Sequence, residues 1–399
     1  MGAAIALTLT VAFTVASCNG GSSNSGSVQP GGMAMPTHSA TPLLDAGQAA
    51  PAKTGMLPGM PAVLNRADIY SADRPNRLSP VVRADRPLIY VPNSESDTVS
   101  VINPRTYRVI GTHQVGALPQ HVTPSWDLKT LYVLNDEGNS VTTINPVNGR
   151  FGRTIPVPDP YNMYFTPDGK YAIVVAERLG RLEFVDPHTM KVMHSLPVNC
   201  RGIDHADFSV NGRYAVFSCE FSSQLVKIDI ARQRVIGYLS LPSRPGDGAP
   251  MPQDVKLSPD GKVFYVADMM SNGVWLINGV TMKIIGFRHT GAGAHGLYVS
   301  RDSKYLYVTN RGEGSISLIN LSSRKVARKW RIGGSPDMGG VSADGKVLWL
   351  SGRYNADVYA ISTRTGHLIA KIPVGSGPHG LCVFPQPGRY SLGHTGVFR

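Results

Sequence analysis

Seven copies of one short apolar motif constrain this chain more than any other feature. They are Leu88-Ile-Tyr-Val-Pro-Asn93, Leu131-Tyr-Val-Leu-Asn135, Ala172-Ile-Val-Val-Ala176, Ala215-Val-Phe-Ser-Cys219, Phe264-Tyr-Val-Ala-Asp268, Leu306-Tyr-Val-Thr-Asn310 and Leu348-Trp-Leu-Ser-Gly352. Their first residues are 43, 41, 43, 49, 42 and 42 positions apart, and the long step carries an insertion at about 243–252. Each copy leads into a second alternating run, such as Val99-Ser-Val-Ile-Asn103 or Ile316-Ser-Leu-Ile-Asn320. A third follows, such as Leu368-Ile-Ala-Lys-Ile372, and a fourth ends in a turn, as in Ser258-Pro-Asp-Gly261. Period-two alternation of apolar and polar residues is the signature of strands. In the turn, Pro presets φ, Asp bonds its own backbone and Gly accepts positive φ.

Four short strands every 40–45 residues make one propeller blade. A single blade cannot cover both of its faces, whereas seven set radially bury each face against a neighbour. A β-sandwich would not repeat its turn chemistry seven times. The expected fold is therefore all-β: a seven-bladed β-propeller of four-stranded antiparallel blades. The repeat phase opens at a second strand (Leu88) and closes at an innermost one (380–384). The last strand is thus expected to complete the first blade and hide the final sheet edge. Residues 67–86 and 386–399 are expected to pack on the outside as extensions of a domain spanning 66–399. Abundant turn formers (43 Gly, 30 Pro) with only 17% charged residues fit this reading.

The segment Leu306-Tyr-Val-Thr-Asn310 carries the signature of the YVTN-repeat propellers. Gly377-Pro-His-Gly-Leu-Cys-Val383 and Ser258-Pro-Asp-Gly261 look like that family's innermost strand and following turn. The resemblance covers about 88–385 and implies the propeller fold. It does not by itself imply an activity, because such folds host many functions.

The first residues read as an export signal. Residues 3–16 are apolar or small and uncharged, too short to span a bilayer. They end in Val15-Ala16-Ser17-Cys18, which resembles a lipobox, and this implies lipidation of Cys18. No Lys or Arg precedes the apolar run, a departure from the usual pattern. Residues 19–65, rich in Gly, Ser, Pro and Met, read as a tether. Its Met33, Met35, His38, Met56 and Met60 are soft Cu(I) ligands at irregular spacing, for which plain linker is the simpler reading. The expected location is the cell envelope outside the cytoplasm, on a membrane, as a monomer. Export permits a disulfide; Cys200 and Cys219 flank one hairpin and are able to approach each other, leaving Cys382 over. No Cys-x-x-Cys-His motif for covalent haem is present. The net charge of +12 suits anionic headgroups or wall polymers, and its even spread with export argues against nucleic acid.

Residues at the start of each innermost strand should ring one mouth of the central channel. Blade by blade they are His121 with Gln120, Tyr161 with Asn162, Asp204 and His205, Gln253 and Asp254, His295, Asp337 and His379. His121, His205, His295 and His379 are candidate metal ligands. Two His with a carboxylate suit iron, zinc or copper. Histidine also serves non-covalent haem, and the chain is distantly similar to haem d1-binding propellers. A His/Asp pair could instead act as general base in a lyase or hydrolase. Set against these is a purely structural role, with the imidazoles and carboxylates bonding neighbouring blades. Seven arginines near loops (150, 153, 178, 181, 201, 311 and 353) fit either a basic rim for an anionic ligand or simply solvated loops. The leading expectation is a binding or scaffold protein that presents its channel mouth to a protein or small ligand. A metal- or haem-binding redox or carrier protein comes second and an enzyme third.

Overall fold

The computed structural model describes residues 55–394 and 396–399. The export signal, Cys18, Met33, Met35 and His38 lie outside the described residues. The strands form seven four-stranded antiparallel sheets. Blades 2 to 7 run consecutively over 119–156, 162–197, 203–240, 252–289, 294–331 and 336–373. Blade 1 takes Leu88–Asn93, Thr98–Asn103 and Arg108–Gln114, and its innermost strand is Cys382–Phe384 from the far end of the chain. Tyr90 pairs with Cys382 and Leu88 with Phe384, so the ring is closed by backbone hydrogen bonding. No helix among the described residues is long and apolar enough to cross a membrane.

Each motif residue has a physical task. In the YVTN-type strands the terminal Asn reaches across the hairpin. Asn93 donates from Nδ2 to Thr98 and Ser100, Asn135 to Ser140 and Thr142, and Asn310 to Ser315 and Ser317, all at 2.9–3.1 Å. This clip fixes register where the backbone leaves the channel. In the turns the Ser258 hydroxyl donates to Asp260 and accepts from the amides of Lys262 and Val263, while Gly261 sits at φ +68°. Val, Ile, Leu and Tyr of the middle strands fill seven buried clusters, one at each blade interface. A fully buried aliphatic residue there contributes about 1.5–3 kcal/mol, which no isolated blade would gain. Outermost strands stay solvated, as the alternation in Arg108–Gln114 and Arg234–Ser240 requires.

Cys200 and Cys219 form a disulfide across the inner hairpin of blade 4, and the Cys382 thiol is buried. The flanking segments depart from expectation. Residues 55–65, read as tether, are partly laid on the blades, with Leu57 buried and Met60 packed on the cluster containing Phe208. Residues 386–399 do not lie outside. Tyr390, Leu392, Val397 and Phe398 are buried. Backbone bonds from Arg389 to Arg399, Arg399 to Tyr390 and Leu392 to Val397 fold the C-terminus into a small hairpin. Its tip pairs with blade 3: Gly393 bridges Tyr164, and the His394 amide donates to the Met163 carbonyl. The chain's last residues therefore close the base of the channel. The physical reason is apolar: this tail carries too many large side chains to remain in water.

Candidate metal centre

Five of the innermost strands open with a register break, over Pro119–His121, Ile203–Ala206, Pro252–Val255, Ala294–Leu297 and Pro336–Gly339. A β-bulge interrupts strict alternation, so consecutive residues can both face the channel. That is how Asp204 and His205, or Gln253 and Asp254, come to share one hub. The bulges make two rings. The rim ring holds Gln120, Tyr161, Asp204, Gln253, His295, Asp337 and His379. One residue deeper lie His121, Asn162, His205 and Asp254. All nine predicted hub residues are buried: His121, Asp204, His205, Asp254 and Asp337 are 0% exposed, and Tyr161, the most open, is 8% exposed.

Five imidazoles meet there, the four predicted ones and His394 from the C-terminal hairpin, which was not predicted. Ring centroids are 5.4 Å apart for His121–His205, 4.9 Å for His121–His379, 4.6 Å for His205–His394 and 6.0 Å for His295–His379. Within this hub two groups bring one ligand atom from each member within 4.8 Å of the others: His295, Asp337 and His379 (the rim triad), and His121, His205 and His394 (the deep triad). Burial holds all five imidazoles far below their ordinary pKa, His121 down to about 3. They are neutral lone-pair donors at neutral pH, the form that binds a metal.

In the rim triad, Nδ1 of His295 is 3.1 Å from Oδ1 of Asp337, and Nε2 of His379 is 3.5 Å from its Oδ2. Arg311 donates to Oδ1 at 3.2 Å, which orients the carboxylate. Oδ2 of Asp337, Nδ1 of His295 and Nδ1 of His379 have no hydrogen-bond partner. The 3.1 Å contact is therefore an approach without hydrogen-bond alignment. Buried polar atoms left this way cost stability unless something else satisfies them.

The channel mouth is polarised. The residue after each second strand is Asp136, Glu177 and Glu220 on blades 2 to 4, but Arg311 and Arg353 on blades 6 and 7. Burial, then neighbouring acids, lifts Glu177 to about 8 and Asp136 to about 7. The arginine rim shrinks to these two. Arg311 bears on Asp337, while Arg353 donates to Ser94 and to the Gly377 carbonyl. Arg178 is drawn to Asp159, Arg181 to Glu183 and Arg201 to the Phe221 carbonyl; Arg150 and Arg153 lie on an outermost strand.

A family model for YNCE-like β-propellers matches residues 77–389. The chain belongs to that family. As a YNCE-like β-propeller it also aligns with solved structures at low identity. Hydrazine synthase from Kuenenia stuttgartiensis shares 20% identity at a TM-score of 0.61, covering 74% of this chain and 97% of that one. The dihydro-heme d1 dehydrogenase NirN, solved with DHE, shares 15% at 0.57, covering 78% and 77%. A protein of unknown function from Desulfotomaculum acetoxidans DSM 771 shares 14% at 0.62, covering 74% and 98%. At these identities the likeness is one of fold. A search of curated proteins gave no match.

Proposed function

We propose that this YNCE-like propeller is an exported, lipid-anchored protein that binds a transition-metal ion in its hub. The observation that carries this reading is the rim triad. Two neutral imidazoles and one carboxylate converge, with three of their atoms unpartnered in a buried site. Two His and one carboxylate leave coordination positions open for an exogenous ligand. The fields of Arg311 and Arg353 fall on His295, His379 and Asp337, so a co-ligand there would be a small anion. NirN is a neighbour solved with a haem derivative. Here the imidazoles stand 4.6–6.2 Å apart, centroid to centroid, and this spacing favours an ion over a macrocycle. Anchoring at Cys18, with a basic chain beside anionic lipid, would hold the channel close to a membrane.

The test is direct. Purified protein is stripped with chelator and titrated with Co(II), Zn(II) and Cu(II), and bound metal is measured after desalting. Stoichiometric retention, reduced by one equivalent in a His295→Ala/His379→Ala double variant, is the expected result. Failure of the native protein to retain any of the three at micromolar concentration would overturn the reading.

A further inference from the structure

We infer that the C-terminal hairpin completes a second metal site, with His121, His205 and His394 as ligands and Asn162 as the placeholder in the metal-free state. The inference deepens the metal-binding reading and rests on it.

Hydrogen-bond partners assign the tautomers. Asn162 accepts the Met163 amide at Oδ1, so its Nδ2 is the donor end. That one NH2 group donates to Nδ1 of His205 and to Nδ1 of His394, each at 3.0 Å. Both Nδ1 atoms are therefore lone-pair acceptors aimed at one point. On the opposite side, Nε2 of His205 is 3.1 Å from a carboxylate oxygen of Asp204, and Nε2 of His394 is 3.9 Å from Asp254. His121 is held the other way round: Nδ1 lies 2.9 Å from the Tyr161 carbonyl, which only accepts, so Nδ1 carries the proton. Its Nε2 is left as a buried lone pair without a partner. Each ring thus turns one lone-pair nitrogen inward; behind it His121 donates to a carbonyl, the usual support of a metal-ligating histidine, while Asp204 and Asp254 lie near the far nitrogens of His205 and His394 without an aligned hydrogen bond to them.

The hairpin looks built to deliver its ligand. His394 sits at φ +52°, in the left-handed region that histidine enters more readily than most non-glycine residues. Gly393 beside it cannot gain a Cβ, which would strike the Met163 carbonyl at 2.4 Å. The hairpin is tied at its end by Arg399, which donates to Asp207 at 2.6 Å and lies over the Tyr70 ring at 4.7 Å. A tetrahedral zinc shell needs nitrogens about 3.4 Å apart, so loading draws the three rings inward and displaces the Asn162 amide.

Co(II) titration with optical detection separates this site from the rim triad. Native protein should bind two ions. His394→Ala and the gentler His394→Gln should each lower the affinity of one ion by about 100-fold or more while the other binds as before. The His295→Ala/His379→Ala double variant should lose the complementary ion and keep the band that His394 controls. Asn162→Ala should retain both ions. Two ions bound with unchanged affinity in both folded His394 variants, or a native stoichiometry of one that follows His295 alone, would overturn this inference and leave the rim site standing. No ion in any form would remove both.

Discussion

The rim triad and the deep triad use the same kinds of ligand in opposite settings. The rim triad comes from the starts of innermost strands and, for His379, from the segment just before one; it opens toward the mouth and sits beside two guanidiniums. The deep triad borrows a residue from the chain's end, is closed beneath by a hairpin and is backed by Asp204 and Asp254. Its own nearby cation is the buried Lys256, whose field falls on Asp254. Two guanidiniums oppose a divalent ion at the open rim, while in the enclosed deep site a single ammonium does so, its field falling on His205 and His394 too. The rim therefore suits exchange and anion capture, and the deep site suits a retained ion. Identical side chains acquire different chemistry from what stands behind them.

The comparison breaks most visibly at the hairpin's anchor. Arg399→Ala leaves Asp207 buried without its guanidinium, which should cost about 3–5 kcal/mol. Denaturant unfolding measures that loss, and hydrogen exchange should rise across residues 389–399. Asp337 in the same position is better protected, because Arg353 also bears on it. Arg311→Ala should therefore cost less, about 1–3 kcal/mol. Equal losses from the two variants would mean that the hairpin is no special tether.

A pH series sharpens the same contrast. Asp73 lies in the fields of Arg301, Arg399, Arg389 and Asp68, yet burial dominates and lifts its pKa to about 7. Between pH 4 and 7 the unfolded chain has released this proton and the folded chain still holds it. Raising the pH through that window therefore removes stability, on the order of 4 kcal/mol in all, and the loss levels off above 7. Asp73→Asn should flatten that slope in thermal melts from pH 4 to 8 and gain most above 7. An unchanged slope would remove Asp73 as its source.

The framework was legible because it is repeated. Seven copies of one strand, the Asn clip and the Pro-Asp-Gly turn each restate the same geometry. The ring closure followed from the phase at which the repeat begins and ends. His295, Asp337 and His379 were legible as hub candidates, since they occupy equivalent positions in successive blades, but their grouping into one triad was not, because the ligands come from different blades. The deep triad was only half legible. His121 and His205 are offset by one from that position, and only the bulges, which leave no mark in alternation, bring them into the channel. His394 belongs to no repeat. Its one sequence signal was Leu392-Gly393-His394, a histidine after glycine in a tail too apolar to stay in solvent. The arginine rim was left open, because loop position alone does not say which guanidiniums turn inward.

The smallest expected effect tests whether the carboxylates distinguish the two sites. Burial, reinforced by Glu220 and Glu177, raises the pKa of Asp204 well above the usual carboxylate range. A cation held on His205 would compensate that buried charge through the imidazole. Asp204→Asn keeps the shape and removes the charge. It should weaken the ion controlled by His394 by about 10–100-fold, the usual cost of losing a carboxylate behind a ligating histidine. The rim ion has its own carboxylate in Asp337 and should hardly change. Competition with a chromophoric chelator measures both affinities in one titration. If Asp204→Asn weakens both ions alike, the hub is one electrostatic unit and the division into rim and deep sites fails.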